Sequence, residues 1–381
     1  MENILKTKIK VFLLPLINIS FFIVMSSFGQ MLLMSIGASF LISLVFLIIY
    51  MINLKKIPKK LNIIFLILLA YTIVMTLISK DFYYWIISLG TVAAFSSLLA
   101  LNMTEEEWKG SFTLNAVFSL GVLLLYDYGL ALTNWNPNSI SFMSLLGMLT
   151  SIVSFKLENN KKTKIMLFAL IIIEIIALYL TESRTSLLIF LIAVLTSTVF
   201  TRIFKSKLVH SVYAFSCLMI SAVASQYKFI LDLNIVKDIL KLSKTMFGKG
   251  TLFSDREPIW DICSYLIGDN WFFGTGSSLY EHMYSHNMFY SIQYTYGIIG
   301  FLLYVVFLYF VVKYVKNDDK NIIGNTLCLI FLAIMVGQVT ENYMFTSNLS
   351  IFLPYVYLSI SIATTKRGMK NEKTDSIHTD I

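Results

Sequence analysis

Apolar runs long enough to cross a bilayer recur along almost the whole chain, separated by short polar breaks. A spanning helix needs about 20 mostly apolar residues. Twelve runs approach or exceed that length: 11–29, 31–53, 61–79, 82–102, 111–131, 138–156, 165–181, 185–201, 208–225, 288–312, 321–340 and 346–364. A β-barrel would show shorter segments of alternating apolar and polar residues, a pattern not seen here. The predicted fold class is all-α: a polytopic membrane protein of about 12 transmembrane helices, in one domain over 1–365. A polar tail, 366–381, follows.

Most breaks are short and basic, as at 54–60 and 157–164. The exception is 226–287, the one long loop. Loops beyond about 15 residues are usually functional or disordered, and this one carries the patterning of structure. Ile230, Leu233, Val236, Ile239, Leu240 and Phe247 recur among Asp232, Lys237, Asp238, Lys241 and Lys244. That spacing predicts an amphipathic helix lying on a membrane surface, ended by Gly248-Lys249-Gly250. Ser254-Asp255 then offers an N-cap for a second helix near 256–267, with Glu257 and Pro258 in its first turn. Arg256 and Trp260, four apart, share a face of it.

Composition agrees with a membrane chain: 57% hydrophobic residues, 14% charged and a mean hydropathy of +0.75. The net charge of +8 would raise nucleic acid as a partner for a soluble protein. Threading twelve spans from an inside N-terminus gives a simpler account. It puts 22 of the 30 Lys and Arg residues inside and eight outside, as the positive-inside rule expects. The predicted protein sits in the cytoplasmic membrane with both termini cytoplasmic and 226–287 outside. No nucleic-acid partner is needed. The weakest junction is 103–110, where Thr104-Glu105-Glu106-Glu107 faces inward with one lysine. The first apolar stretch lacks a small-residue cleavage site and reads as a span rather than a signal peptide. Cys217, Cys263 and Cys328 show no metal-binding spacing; the first and last read as packing residues, and only Cys263 falls outside the membrane.

Candidate chemistry gathers at the outward-facing breaks. These are Asn134-Trp135-Asn136-Pro137-Asn138, Glu182-Ser183-Arg184-Thr185, Asp255-Arg256-Glu257-Pro258-Ile259-Trp260, His286-Asn287 and Glu341-Asn342-Tyr343. Arg184 fits two roles, a snorkelling anchor or an anion ligand in a turn too tight for a solvated loop. Arg256 is by itself an ordinary surface arginine. Two arginines converging at the outer surface would match a pyrophosphate, because the guanidinium fork binds two phosphate oxygens at once. His286, at the mouth of the tenth span, is either a hydrogen-bonded structural residue or a general base. His282 lies one turn before it, without a third ligand that would complete a metal site. Glu174, inside the seventh span, is a functional candidate by its placement or a group bonded to a neighbouring helix. The outer aromatics, Trp260 and Trp271 among them, form an interfacial belt, with stacking on sugar rings as the lesser reading.

Taken together, Ser183-Arg184-Thr185 opening a span, Arg256 to Trp260, Gly274-Thr275-Gly276, Ser285-His286-Asn287 and Tyr296-Gly297-Ile298-Ile299-Gly300 resemble the O-antigen ligase and polymerase family of bacterial surface-polysaccharide assembly. The resemblance covers about 165–340. The N-terminal half matches only in hydropathy and in Asn136-Pro137-Asn138. The family is similar to GT-C-type membrane glycosyltransferases. It implies transfer of a glycan from an undecaprenyl-pyrophosphate carrier to an acceptor glycan's hydroxyl at the outer face, with no cofactor, nucleotide sugar or metal. By that resemblance, Arg184 and Arg256 hold the pyrophosphate leaving group and His286 serves the acceptor hydroxyl. Asn287, Glu182, Trp260, Asn136 and Asn138 complete the expected substrate site. A flippase and a chain-length regulator are the expected protein partners.

The motifs leave polymerase and ligase open. A ligase needs a lipid A-core acceptor. The Ile, Lys and Asn richness, a mark of AT-rich bacterial genomes, leans the reading towards a polymerase of capsule or exopolysaccharide repeat units. A flippase or other 12-helix transporter is the alternative of another class. Transporters are commonly built from repeated halves with broken helices, and the sequence shows no such halves.

Overall fold

The structure is a computed structural model describing residues 11–12, 14–19, 58–79, 103–127, 137–199, 233–247, 256–276, 286–315, 321–339, 341 and 354–365. These form α1 (Lys59–Ser79), α2 (Glu105–Asp127), α3 (Pro137–Met148), α4 (Thr150–Leu157), α5 (Lys161–Leu180) and α6 (Arg184–Val194). Then come α7 (Asn234–Phe247), α8 (Glu257–Gly268), α9 (Met288–Val315), α10 (Ile322–Gly337) and α11 (354–365). No strand occurs among the described residues.

Among the described residues, five helical stretches are long and apolar enough to cross a membrane: α1, Glu105–Leu125, Ile140–Leu157, α5 and α9. Arg184–Val199 and Ile322–Gly337 are shorter apolar helices. The expected spans 31–53, 82–102 and 208–225 and the tail 366–381 lie outside the described residues. The outer faces remain apolar. On α5, Ile165, Met166, Phe168, Ile173, Ile176 and Leu180 are exposed, as a lipid-facing surface requires.

α4 is the centre of the bundle, packed by α2, α3, α5 and α10. A single apolar core runs through these helices and on to α1, α6, α9 and α11. α9 packs on α1, α6 on α10 and α8 on α9.

Three helix starts are closed by side chains. At the junction the charge count left weakest, Thr104 and Glu107 form a capping box. The Thr104 N–H donates to Glu107 Oε2 (2.6 Å), and the Glu107 N–H donates to Thr104 Oγ1 (3.2 Å). The acidic run there is a helix start, favoured by the helix dipole. Asn160 caps α5 and Asn321 caps α10. Asn321 also donates to Thr364 and Thr365 at the end of α11.

The expected span 288–312 is present but is not one straight helix. Gly297 leaves helical geometry (φ 62°, ψ −170°) and splits α9 into two halves. The break frees backbone groups, and the loop 271–276 takes them up. The N–H groups of Thr275 and Gly276 donate to the carbonyls of Tyr294 and Thr295, each at 2.8 Å. The Ile298 N–H donates to Trp271 O at 2.8 Å. Tyr71 Oη on α1 donates to Tyr296 O (2.8 Å) and lies within reach of Phe273 O (3.1 Å), and Ser79 Oγ donates to Gly276 O (2.7 Å). Unsatisfied backbone groups cost several kcal/mol in hydrocarbon, so the loop, the break and α1 depend on one another. A Cβ on Gly297 would collide with the Phe272 carbonyl, and one on Gly274 (φ 78°) with the Gly297 backbone. The Gly274-Thr275-Gly276 and Tyr296-Gly297 motifs are the two halves of this joint.

Candidate functional site

The site is built where helices start. Ser183 occupies the N-cap position of α6 and Arg256 that of α8, neither with a side-chain capping bond; Arg184 is thus the first residue of α6. His286 and Asn287 precede Met288 at the start of α9. Helix N-termini carry partial positive charge and favour anions.

Among the described residues only two non-glycines hold a positive φ, Glu182 (56°) and His286 (49°). Left-handed backbone costs such residues about 1–2 kcal/mol each. It persists where the surroundings over-determine it, commonly at functional turns. In the α5–α6 turn, the Arg184 N–H donates to Glu182 O (3.1 Å), and the Glu182 N–H donates to Tyr179 O (3.1 Å). At the other turn, Asn287 anchors the chain immediately after His286. Its Oδ1 accepts from the N–H groups of Phe289 (2.8 Å) and Tyr290 (3.3 Å), and its Nδ2 donates to Val339 O (2.9 Å). The Met288 N–H donates to Gln338 O (3.1 Å). The start of α9 is thereby tied to the end of α10.

Glu341 lies just beyond that tie, its N–H donating to Gly337 O (3.1 Å). Its two carboxylate oxygens serve two partners. Oε1 accepts from Arg256 Nη2 at 2.7 Å, and Oε2 stands 3.5 Å from His286 Nδ1. Arg256 is only 8% exposed and Glu341 4%, whereas the His286 side chain is 26% exposed. The charged pair is sealed and the imidazole reaches the surface. With Nδ1 turned to the carboxylate, Nε2 is the nitrogen on the far side of the ring.

Trp260, one turn after Arg256, anchors α8. Its indole is fully buried against Cys263, Tyr290 and Tyr294, its ring 6.2 Å from that of Tyr290. Ser264 Oγ adds a 3.3 Å bond to Tyr290 Oη. These contacts fasten α8 to the first half of α9. Burial pushes the Cys263 thiol up to about 12, so it stays a neutral packing group at neutral pH.

Arg184 reaches this end through helix packing. α6 lies against α10, and a Cβ on Gly337 would meet Ile189 and Thr185. Thr185, next to Arg184, is thus level with the last turn of α10, four residues before Glu341. Arg184, Arg256, His286 and Asn287 all come to one end of the bundle. Asn138 lies in the first turn of α3, while Asn134, Trp135, Asn136 and His282 lie outside the described residues.

Glu341 was present in the sequence only as a polar outer turn. It stands 85 residues from Arg256, and no spacing rule links the two. Glu174 is completely buried in α5, with its Oε2 accepting from Ser151 Oγ at 2.7 Å. It belongs to the bundle interior. Among the described residues no group of three metal-binding side chains is assembled.

No curated protein of known function matches the chain. A family comparison does match it, from α5 into the second half of α9. That stretch contains Glu182, Arg184, Arg256, Trp260, His286 and Asn287, but neither Glu341 nor the N-terminal helices. Residues 166–305 match the model of the O-antigen ligase family.

Proposed function

We propose that this protein is a membrane polymerase of glycan repeat units. It would take the growing glycan from an undecaprenyl-pyrophosphate carrier and pass it to a hydroxyl of a second lipid-linked glycan at the outer membrane face. The observation that carries this reading is the single carboxylate, Glu341, shared by Arg256 and His286. It sits where three helices begin and where Arg184 opens the neighbouring one of them.

The chemistry needs an oxygen nucleophile, a base and a stabilised leaving group. The acceptor oxygen forms a bond to the anomeric carbon of the donor. The bond from that carbon to the pyrophosphate oxygen breaks, and its electron pair leaves with the pyrophosphate. His286 Nε2 takes the hydroxyl proton. Glu341 fixes the opposite ring nitrogen and favours the imidazolium that results, as a carboxylate does for a catalytic histidine. Arg184 and Arg256 hold the leaving phosphates. One guanidinium nitrogen of Arg256, Nη2, faces Glu341, and a guanidinium has five donors in all. Asn287 and Glu182 shape the two turns, Trp260 anchors α8 from within its buried cluster, and the family resemblance makes Asn136 and Asn138 the expected sugar contacts. The charge split of the sequence supports cytoplasmic termini and an outward site.

The family's description as ligase favours one second reading, in which the acceptor is a lipid A-core. An assay with purified protein and lipid-linked repeat units separates the two. A ladder of lengthening glycans from repeat units alone marks a polymerase. Transfer only when lipid A-core is supplied marks a ligase. Arg184→Lys should lose most of the product in either case, since an ammonium cannot grip two phosphate oxygens. Product at the wild-type level from that variant would remove bidentate phosphate binding at Arg184.

A further inference from the structure

Glu174 lies deep in the bundle, apart from the site at the helix starts. It is six residues before the end of α5, about 9 Å from that end and about 20 Å from the other at 1.5 Å per residue. Its residue exposure is zero. One oxygen accepts from Ser151 Oγ; the other, Oε1, is buried with no hydrogen-bond partner among the described residues.

Among the described residues, the helices packed against α5 bring no balancing charge to that depth. α2 carries Glu105, Glu106, Glu107 and Lys109 in its first turns and Tyr126 and Asp127 at its far end. α4 carries Lys156 in its last turn, α6 carries Arg184 at its start, and α3 carries none. The cations of α5 itself, Lys161, Lys162 and Lys164, are in its first turn. A carboxylate with one hydroxyl donor and no cation cannot stay ionised at such a place. A protonated acid can, with its carbonyl oxygen accepting from Ser151.

A hydroxyl line leads from Ser151 towards the end of the bundle opposite Arg184. Ser154 is one turn along α4, and its Oγ donates to Lys109 O at 3.2 Å. Thr113 Oγ1 is 3.0 Å from Ser154 Oγ and 2.9 Å from the same carbonyl. The line ends on the carbonyl of Lys109, whose Nζ lies 3.4 Å from Glu158 Oε2 just past the end of α4. Hydroxyls one turn apart on a helix face lie within reach of a single bridging water.

We propose that Glu174 is a proton-binding site inside the membrane, loaded and emptied along Ser151, Ser154 and Thr113 from the Lys109–Glu158 end. The ligand is the proton itself. The site is separate from glycan transfer and stands whether or not the protein is a polymerase.

Infrared spectroscopy of the protein in lipid nanodiscs tests this directly. At neutral pH the wild type should show a carboxylic-acid C=O band that Glu174→Gln lacks. Ser151→Ala, a smaller change that leaves the helix intact, should move the same band to higher frequency as its hydrogen-bond donor is lost. Transfer into D2O should shift the band, and Ser154→Ala combined with Thr113→Val should slow that shift. A Glu174→Gln protein with no acid band missing, or a Ser151→Ala protein with the band unmoved, overturns the site. Unchanged exchange in the Ser154→Ala, Thr113→Val protein overturns the route.

Discussion

At the Arg184 end of the bundle, Glu341 divides its two oxygens between Arg256 and His286. Inside the bundle, Glu174 receives a single hydroxyl from Ser151. Both residues are almost completely sealed from solvent, so burial alone does not set what a carboxylate does. Partners set it. Glu341 shares a network with arginine and histidine, beside residues held in left-handed backbone. Glu174 has the surroundings of a neutral acid. The first region concentrates charge for chemistry on a polar group. The second keeps charge out of an apolar interior.

The strongest way to sharpen this contrast is to remove the open member of the charged network. His286→Ala should lower the rate of glycan transfer by about 10²–10⁴-fold, the usual contribution of a general base. Membrane insertion and thermal stability should stay near wild type, because the imidazole is partly exposed. A fully active variant, measured with lipid-linked repeat units, would take His286 out of the mechanism.

Next comes the buried pair itself. Glu341→Gln strands the Arg256 guanidinium without its counter-charge, and breaking a buried pair from one side costs about 3–5 kcal/mol. The unfolding temperature in detergent should fall accordingly. Adding Arg256→Gln should restore much of the stability but none of the activity. This pattern separates the pair's part in folding from its part in catalysis. If both proteins melt at the wild-type temperature, the pair is not the buried network described here.

The joint between loop and broken helix should show a smaller effect. Gly297→Ala forces a side chain into left-handed backbone against the Phe272 carbonyl, at a cost of about 1–3 kcal/mol. Limited proteolysis should then cut within 271–276 faster than in the wild type. Equal protection would show that the loop does not depend on the break.

The least effect is expected at Glu174. Glu174→Gln exchanges one neutral hydrogen-bonding group for another, so its stability should change by about 1 kcal/mol or less. A loss as large as that of Glu341→Gln would mean Glu174 is ionised, and the contrast between the two regions would collapse.

Much of the architecture was legible in the chain because it depends on local patterns. The apolar runs became α1, α2, α5 and the shorter α6 and α10. The helix expected near 256–267 appears as Glu257–Gly268, with Pro258 in its first turn. The amphipathic segment appears as Asn234–Phe247. The turn at 181–183 is as tight as the sequence required. The Thr104–Glu107 capping box is a local spacing as well.

The sequence by itself determined the class of fold, the order of the helices and the short motifs at their starts. Those follow from hydropathy, capping and turn chemistry, which act over a few residues. Tertiary structure decided which of these pieces meet. Only packing of α6 on α10 and of α8 on α9 brings Arg184, Arg256 and His286 to one end, and only that packing recruits Glu341. The break at Gly297 was equally hidden. Its exposed backbone is satisfied from 271–276 and from Tyr71, more than 200 residues distant in sequence. Hydrogen bonds and charge pairs between distant segments leave no periodicity in the chain, because each partner alone looks like any other polar residue at a helix end.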